Sequence, residues 1–322
     1  MDKMTELINA LAGKVIVITG ASGYIGSALT RELEKYSVKI IRISRKKLSP
    51  KQGVEDWVLD LNKNDSWKRI VTQADIIFHL AGNTSIYSAE QDPEESLTST
   101  LFPINRLISV SKELCRVPRV VFASTATVYG LTEILPTTEE TRPNPITIYD
   151  LHKLFVEQQL SMASQNNVIS AISLRLANVY GPSLSESKSD DRGVLSKVTR
   201  IRLEGGNIQA YGKGNYFRDY IYIDDVVNAF LHASVINNAE SIVNVASGTG
   251  TIVKDVFSII SSEVEIKTGV SGHVEDVEWP KGVNAIEKRN FIASVELLKS
   301  LSGWSPSISL EEGIRRLVAH YN

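Results

Sequence analysis

The sequence predicts an α/β fold: a doubly wound parallel sheet with helices on both faces, followed by a smaller C-terminal α/β lobe. Three observations predict it. Short apolar runs of strand length alternate with stretches of helical spacing through the first 178 residues. The runs are near-continuously apolar, as strands covered on both faces must be. The 322 residues, 43% of them apolar, exceed one average domain and supply a sizeable core plus a satellite lobe.

KVIVITG (14–20) ends in glycine and reads as a buried strand. Residues 24–36 follow with helical spacing at Ile25, Leu29 and Leu33. VKIIRIS (38–44) and DWVLDL (56–61) are the second and third strands. A helix near 65–73 leads into DIIFHLAG (75–82), the fourth. A long helical stretch, 95–115, contains Pro103, which should kink or split it. RVVFAST (119–125) is the fifth strand, 147–165 a helix and ISAISLRL (169–176) the sixth strand. Strands one to three and four to six then form two halves, with ligands expected beyond the carboxyl ends at the switch point.

After about residue 180 the texture changes. The organisation expected is a dinucleotide-binding domain over 1–178 and a substrate lobe over 179–322. Residues 181–193 form a polar, Ser-rich loop. Helices are expected at 194–204, 226–236, 253–263 and 309–320, with short strands near 207–211, 220–223 and 242–246, the last a candidate to rejoin the main sheet.

Composition excludes several classes. A net charge of −2 gives no sign of a nucleic-acid partner. The single cysteine, Cys115, rules out a disulfide framework or a Cys-based zinc site within one chain, and a buried or partly buried thiol at a helix end is expected. No window approaches the ~18 apolar residues of a membrane span. The opening MDKMTELINALAGK, with Asp2, Lys3 and Glu6, does not read as a signal peptide. A cytoplasmic location is the expectation, and no metal site is expected.

TGASGYIG (19–26) joins the first strand to the first helix with glycines at Gly20, Gly23 and Gly26. Such a loop turns tightly, admits a pyrophosphate to the backbone and presents free N–H groups of a helix start. Ser22, Tyr24 and Ile25 complete it. Leu61, Leu80, Ala81, Gly82 and Leu176, at later strand ends, border the same expected cofactor cleft. A carboxylate after the second strand would select NAD by bonding the ribose 2′-hydroxyl. Here Ser44-Arg45-Lys46 stands instead, suited to a 2′-phosphate, so NADP(H) is favoured and NAD(H) stays open. A solvated basic turn is the alternative. Asp60 is placed to bond the adenine amino group, or to cap.

Tyr149 and Lys153, four apart on a helix, share one face. A lysine ammonium stabilises tyrosinate and brings the phenol toward working pH. Thr125, closing the fifth strand, can hydrogen-bond the same substrate oxygen. His79 reads as a core histidine, and Trp57, Trp67 and Trp304 as packing. Asp224 and Asp225 read as capping carboxylates at a helix start.

TGASGYIG, DIIFHLAG, ASTATVYG, YDLHK, LRLANVYGP, FRDYIYIDDVVNAF and LSGWSPSISLEEGI fall in the order and spacing of a known family. From about 14 to 320 the chain resembles the extended short-chain dehydrogenase/reductases acting on nucleotide sugars. The resemblance implies a Rossmann-type domain and a Thr125–Tyr149–Lys153 triad, with Lys153 also bonding the nicotinamide ribose. It implies that Asn178 and Arg218 hold the substrate diphosphate, with Thr84 nearby. It also implies a homodimer through a four-helix bundle formed by the helices within 95–115 and 147–165.

Ala126 and Thr127 follow Thr125 where dehydratases of the family carry an acid, so dehydration is not expected. Ser44-Arg45-Lys46 tilts the expectation to an NADP(H)-dependent 4-ketoreductase of a nucleotide-linked deoxysugar. An NAD-dependent 4-epimerase is the alternative, and a non-catalytic dinucleotide sensor the third reading. The chain departs from the family at Asn83-Thr84, Thr100, Thr147-Ile148 and His152. Its C-terminal substrate motif is missing, with Lys281, Lys288 or Arg289 as substitutes or surface cations.

Overall fold

The structure is a computed structural model that describes residues 3–183, 193–236 and 242–322. A short helix, α1 (Lys3–Leu11), precedes β1 (Val15–Thr19), α2 (Tyr24–Leu33), β2 (Lys39–Ser44) and β3 (Val54–Val58). Then come α3 (Asn64–Gln73), β4 (Ile76–His79) and three successive helices, α4 (Ile86–Gln91), α5 (Pro93–Thr100) and α6 (Phe102–Glu113). They lead to β5 (Arg119–Thr125), α7 (Ile148–Gln165) and β6 (Ser170–Leu176). Beyond lie β7 (Asn178–Tyr180), α8 (Val194–Leu203), β8 (Ile208–Tyr211), β9 (Phe217–Tyr222), α9 (Ile223–Ser234) and β10 (Ile242–Val245). The chain ends with β11 (Gly250–Ile252), α10 (Val253–Thr268), β12 (Val274–Val277), α11 (Glu296–Ser302) and α12 (Leu310–Tyr321).

The main sheet runs β10-β6-β5-β4-β1-β2-β3, with every pair parallel. This is the doubly wound arrangement expected, with its switch point between β1 and β4. β10 extends the sheet beside β6, with Leu176 level with Val245. Two small sheets, β11-β9-β7 and β12-β8, belong to the C-terminal part. Apolar side chains fill both faces. Trp57 and Trp67 lie in the core on one side with α3, α6 and α7; Phe78, Phe230 and Trp304 pack on the other.

Several boundaries differ from expectation, for physical reasons. The fourth strand stops at His79 rather than Gly82, because the Leu80 and Ala81 N–H groups donate to the Thr19 hydroxyl, both at 3.2 Å. The third begins at Val54, paired with Ile40, and the chain leaves the ladder before Asp60. The long helical stretch splits as Pro103 requires: Leu101 ends α5 and caps α6, with Pro103 in the first turn of α6. The periodicity missed α1, α4, α11, β7, β11 and β12, all short. Cys115, past the end of α6, is exposed with φ +48, which corrects the expectation of a buried or partly buried thiol. Most of the Ser-rich loop, 184–192, lies outside the described residues. No helix among the described residues is long and apolar enough to cross a membrane.

Candidate active site

The glycine loop is fixed by close packing. Gly20 has φ +67, and a Cβ there would stand 2.8 Å from the Ala81 nitrogen. A Cβ on Gly26 would lie 2.4 Å from the Gly20 carbonyl oxygen, so the first helix can approach the strand only with glycine. Gly23 caps α2 without any side-chain acceptor, which leaves the first-turn N–H groups for a ligand. Beneath the loop His79 is fully buried against Thr19, with its Nδ1 2.9 Å from the Thr19 hydroxyl. Burial pushes its pKa down to about 3, so it is a neutral core residue.

A cleft of about 340 Å³ opens above this loop. Gly20, Ser22, Gly23, Ser44, Arg45, Asp60, Leu61, Leu80, Ala81, Gly82 and Thr84 all line it. Sequence reasoning missed Ile43, Leu59, Asn62, Asn83, Glu95, Ser99 and Pro103 in the same wall. Only their place beside strand ends, on α5 or in the first turn of α6 hinted at them. The residues fit a dinucleotide: uncapped helix N–H groups for a pyrophosphate, and Arg45 and Asp60 toward one end. Asp60 accepts from the Asn62 N–H at 3.0 Å, so it also shapes the turn. Tyr24, Ile25, Gly26, Lys46, Tyr149, Lys153 and Leu176 do not line the cleft. The Tyr24 hydroxyl donates to the Gly181 carbonyl at 3.0 Å, and Leu176 is buried at the end of β6. Lys46 is exposed, its carbonyl accepting from the Ser44 hydroxyl.

Thr125 closes β5, and Tyr149 and Lys153 stand in the first turns of α7. Lys153 is 3% exposed, donates from Nζ to the Ala123 carbonyl at 2.8 Å and lies 5.8 Å from the Tyr149 ring centroid. Burial lowers its pKa to about 8, and Glu157 opposes the fall. Glu157 is itself held by Arg175, whose Nη2 is 2.6 Å from Oε2, and by the Ser124 hydroxyl at 2.5 Å. Thr125 is 8% exposed, and its hydroxyl is 2.7 Å from that of Thr127. Thr127 in turn donates to the buried Asp150 carboxylate. Sequence reasoning missed Asp150, Glu157 and Arg175; only their charge inside apolar elements signalled them. Thr147 caps α7 through the Asp150 N–H at 3.1 Å, and His152 meets the Ser96 hydroxyl at 3.0 Å, which ties α7 to α5. Thr100 accepts from the Asn83 N–H at 3.3 Å.

The residues assigned to the diphosphate are differently placed. Asn178 donates from Nδ2 to the Asp219 carbonyl at 3.0 Å. The Arg218 guanidinium is 6% exposed and donates to the carbonyls of Phe217, Glu287 and Arg289. It braces the segment after 284 in this conformation rather than facing the cleft. Arg289 is half-buried and donates to the Ile286 carbonyl at 2.7 Å, so it is not a surface cation. Asp224 and Asp225 do not cap their own helix, whose N-cap Tyr222 makes no side-chain capping bond. Asp225 instead accepts from Ser307 and Ile308, and Asp224 pairs with Arg31, which corrects the capping expectation. No cluster of metal-ligating side chains occurs among the described residues.

The family model described as the NAD dependent epimerase/dehydratase family matches residues 16–246. The chain belongs to this family. It is 28% identical over 313 residues to the putative UDP-glucose 4-epimerase of Methanocaldococcus jannaschii, covering 94% of this chain and 97% of that protein. The solved UDP-glucose 4-epimerase of Thermotoga maritima with UDP-glucose superposes with a TM-score of 0.84 at 27% identity, covering 95% of this chain and 98% of that one. The Thermus thermophilus UDP-glucose 4-epimerase complex with NAD gives 0.80 at 25% identity, with the same coverages.

Proposed function

We propose that the protein is a 4-epimerase of a UDP-linked hexose that uses NAD(H). The observation that carries this reading is the Tyr149 ring beside the buried Lys153 ammonium, on the helix that follows the Thr125 strand end. The 4-ketoreductase favoured by the basic turn at 44–46 gives way to the epimerase alternative. Relatives that cover 94–95% of this chain are named as UDP-glucose 4-epimerases, one of them as putative, while others that cover 96% are named as UDP-glucuronic acid decarboxylases. A bound nicotinamide would supply the hydride acceptor and donor that oxidation and reduction at the sugar carbon require. Tyr149 as phenolate accepts the C4 hydroxyl proton and returns it when the ketone is reduced. The Lys153 charge stabilises that phenolate, and Thr125 holds the reacting oxygen. Ala126 beside Thr125 offers no acid for eliminating water. The uncapped start of α2 would seat the pyrophosphate.

Arg45 in the cleft wall favours a second reading, the NADPH-dependent 4-ketoreductase. The same assignment includes a homodimer through α5, α6 and α7, supported by exposed Phe102, Phe155 and Met162 on those helices. Chromatography of UDP-glucose and UDP-galactose after incubation with the enzyme separates the two activities. Interconversion without net cofactor consumption is expected. Tyr149→Phe should lower it by about 10²–10⁴-fold, the usual contribution of a positioned proton donor. Stoichiometric NADPH oxidation by a 4-keto sugar nucleotide, with no interconversion, would establish the reductase instead.

A further inference from the structure

Behind Thr125 lies a chain of two further groups that the triad chemistry does not use. Thr125 Oγ1 and Thr127 Oγ1 are 2.7 Å apart, and the Thr127 backbone N–H also donates to Thr125 Oγ1 at 3.2 Å. Thr127 Oγ1 is hydrogen-bonded to Oδ1 of Asp150. Asp150 is wholly buried, and its Oδ2 makes no hydrogen bond among the described residues. The groups that act on it are few. Thr127 and Thr147 bond to it, Arg289 attracts it and Glu90 repels it. Arg289 directs Nη1 to the Ile286 carbonyl, and Glu90 accepts from the Ile148 N–H at 2.8 Å.

We propose that Asp150 and Thr127 form a relay that sets the direction in which the Thr125 hydroxyl presents its hydrogen to the substrate oxygen. The inference rests on the epimerase or ketoreductase reading of the site. Each hydroxyl has one hydrogen, and an ionised carboxylate only accepts. With Asp150 ionised, Thr127 donates to Asp150 and Thr125 must donate to Thr127. Thr125 then shows the substrate a lone pair, matched to a sugar hydroxyl that donates. With a proton on Oδ1, Asp150 donates to Thr127 and Thr127 donates to Thr125. The Thr125 hydrogen is then free to point outward, matched to a ketone that only accepts. These are the two oxidation states that a C4 oxidation and reduction must bind. No bond to carbon forms or breaks in the relay; hydride movement and the Tyr149 proton balance the redox step. Burial raises the Asp150 pKa, which favours the protonated arrangement. Asp150 is thus a positioning residue that acts through Thr127.

The test compares Asp150→Asn, Thr127→Val and Thr127→Ser in the full chain, with thermal melts to verify folding. Infrared titration of the protein without substrate should show a neutral carboxyl band, persisting above the ordinary aspartate range, that Asp150→Asn removes. In turnover, Thr127→Val and Asp150→Asn should each lower kcat about tenfold, the value of one misdirected hydrogen bond, with KM little changed. Both should lose the same inflection from the kcat pH profile. Thr127→Ser should keep it, and the double variant should be no slower than the slower single one. Wild-type kcat and pH profile in Asp150→Asn and Thr127→Val, or no carboxyl band lost with Asp150, would overturn the relay. A wild-type protein inactive on both UDP-hexoses and 4-keto sugar nucleotides, with the carboxyl band present, would strike the functional reading and leave the relay standing.

Discussion

Helix α7 carries two buried carboxylates two turns apart, Asp150 and Glu157, and the structure treats them in opposite ways. Glu157, 1% exposed, receives three contacts from Arg175 at 2.6–3.2 Å and one from the Ser124 hydroxyl. Asp150, equally buried, bonds a threonine hydroxyl through Oδ1, and its Oδ2 has no hydrogen-bond partner among the described residues. The difference teaches what each is for. A carboxylate met by a guanidinium fork is a fixed charge that anchors β6 to α7 and supports Lys153 from below. A carboxylate met only by hydroxyls pays desolvation without a contacting cation, so its proton can come and go. The fixed charge serves the lysine side of the site, and the titratable one serves the threonine side.

The largest effect expected from this contrast falls on stability. Removing one member of the Glu157–Arg175 pair leaves the other charge buried and uncompensated, at a cost of about 3–5 kcal/mol. Urea unfolding of Glu157→Gln and Arg175→Met should each show a loss in that range. The apolar double replacement Glu157→Leu with Arg175→Met should recover most of it. Single variants within about 1 kcal/mol of wild type would show that the pair is not the anchor described.

The next effect falls on rate. With the Lys153 pKa at about 8, the ammonium is present at neutral pH and lost above that value. Tyrosinate loses its stabilising charge as Lys153 deprotonates. The pH profile of kcat/KM should therefore fall on its alkaline side from about pH 8. Glu157 holds the Lys153 pKa up, so Glu157→Gln should move this limb to lower pH, whereas Asp150→Asn should leave it in place. A shared shift in both variants would merge the two halves of the comparison.

The two sides also differ in how far the sequence discloses them. The strand and helix alternation, the glycine loop and Tyr149–Lys153 are legible because each is a local pattern with fixed spacing. Gly20, for instance, signals its turn by itself. Arg218 shows the limit. Its charge suggests a phosphate ligand, but whether a guanidinium faces a cleft or three carbonyls depends on a segment seventy residues away. Asp224 and Asp225 misled in the same way: their position suggests capping, while their partners come from α2 and the turn before α12. Glu157 and Arg175 lie in separate elements, and only the packing of α7 on the sheet brings them together. Asp150 sits in the motif YDLHK, between Tyr149 and Leu151, and nothing local shows that it is buried or that Thr127 faces it.

The smallest expected effect is the one that separates a titratable carboxylate from a capping one. Asp150 stands in the first turn of α7, where a negative charge also favours the helix start. If that were its main role, loss of the charge would cost stability at neutral pH. If burial dominates, the sign is different. The folded-state pKa is raised, so the folded protein holds this proton at pH values where the unfolded chain has released it. The associated stability is fully present below the ordinary aspartate range and is lost as pH rises through the raised value. Asp150→Asn removes this dependence. It exchanges a desolvated charge for a neutral amide with one unsatisfied donor pair, so its stability at neutral pH should stay within about 1 kcal/mol of wild type. Unfolding free energies of wild type and Asp150→Asn across the acid range should therefore converge as pH rises, with wild type gaining relative to the variant as pH falls. The reverse ordering, or an Asn variant as unstable as Glu157→Gln, would make Asp150 a second fixed charge and erase the contrast along α7.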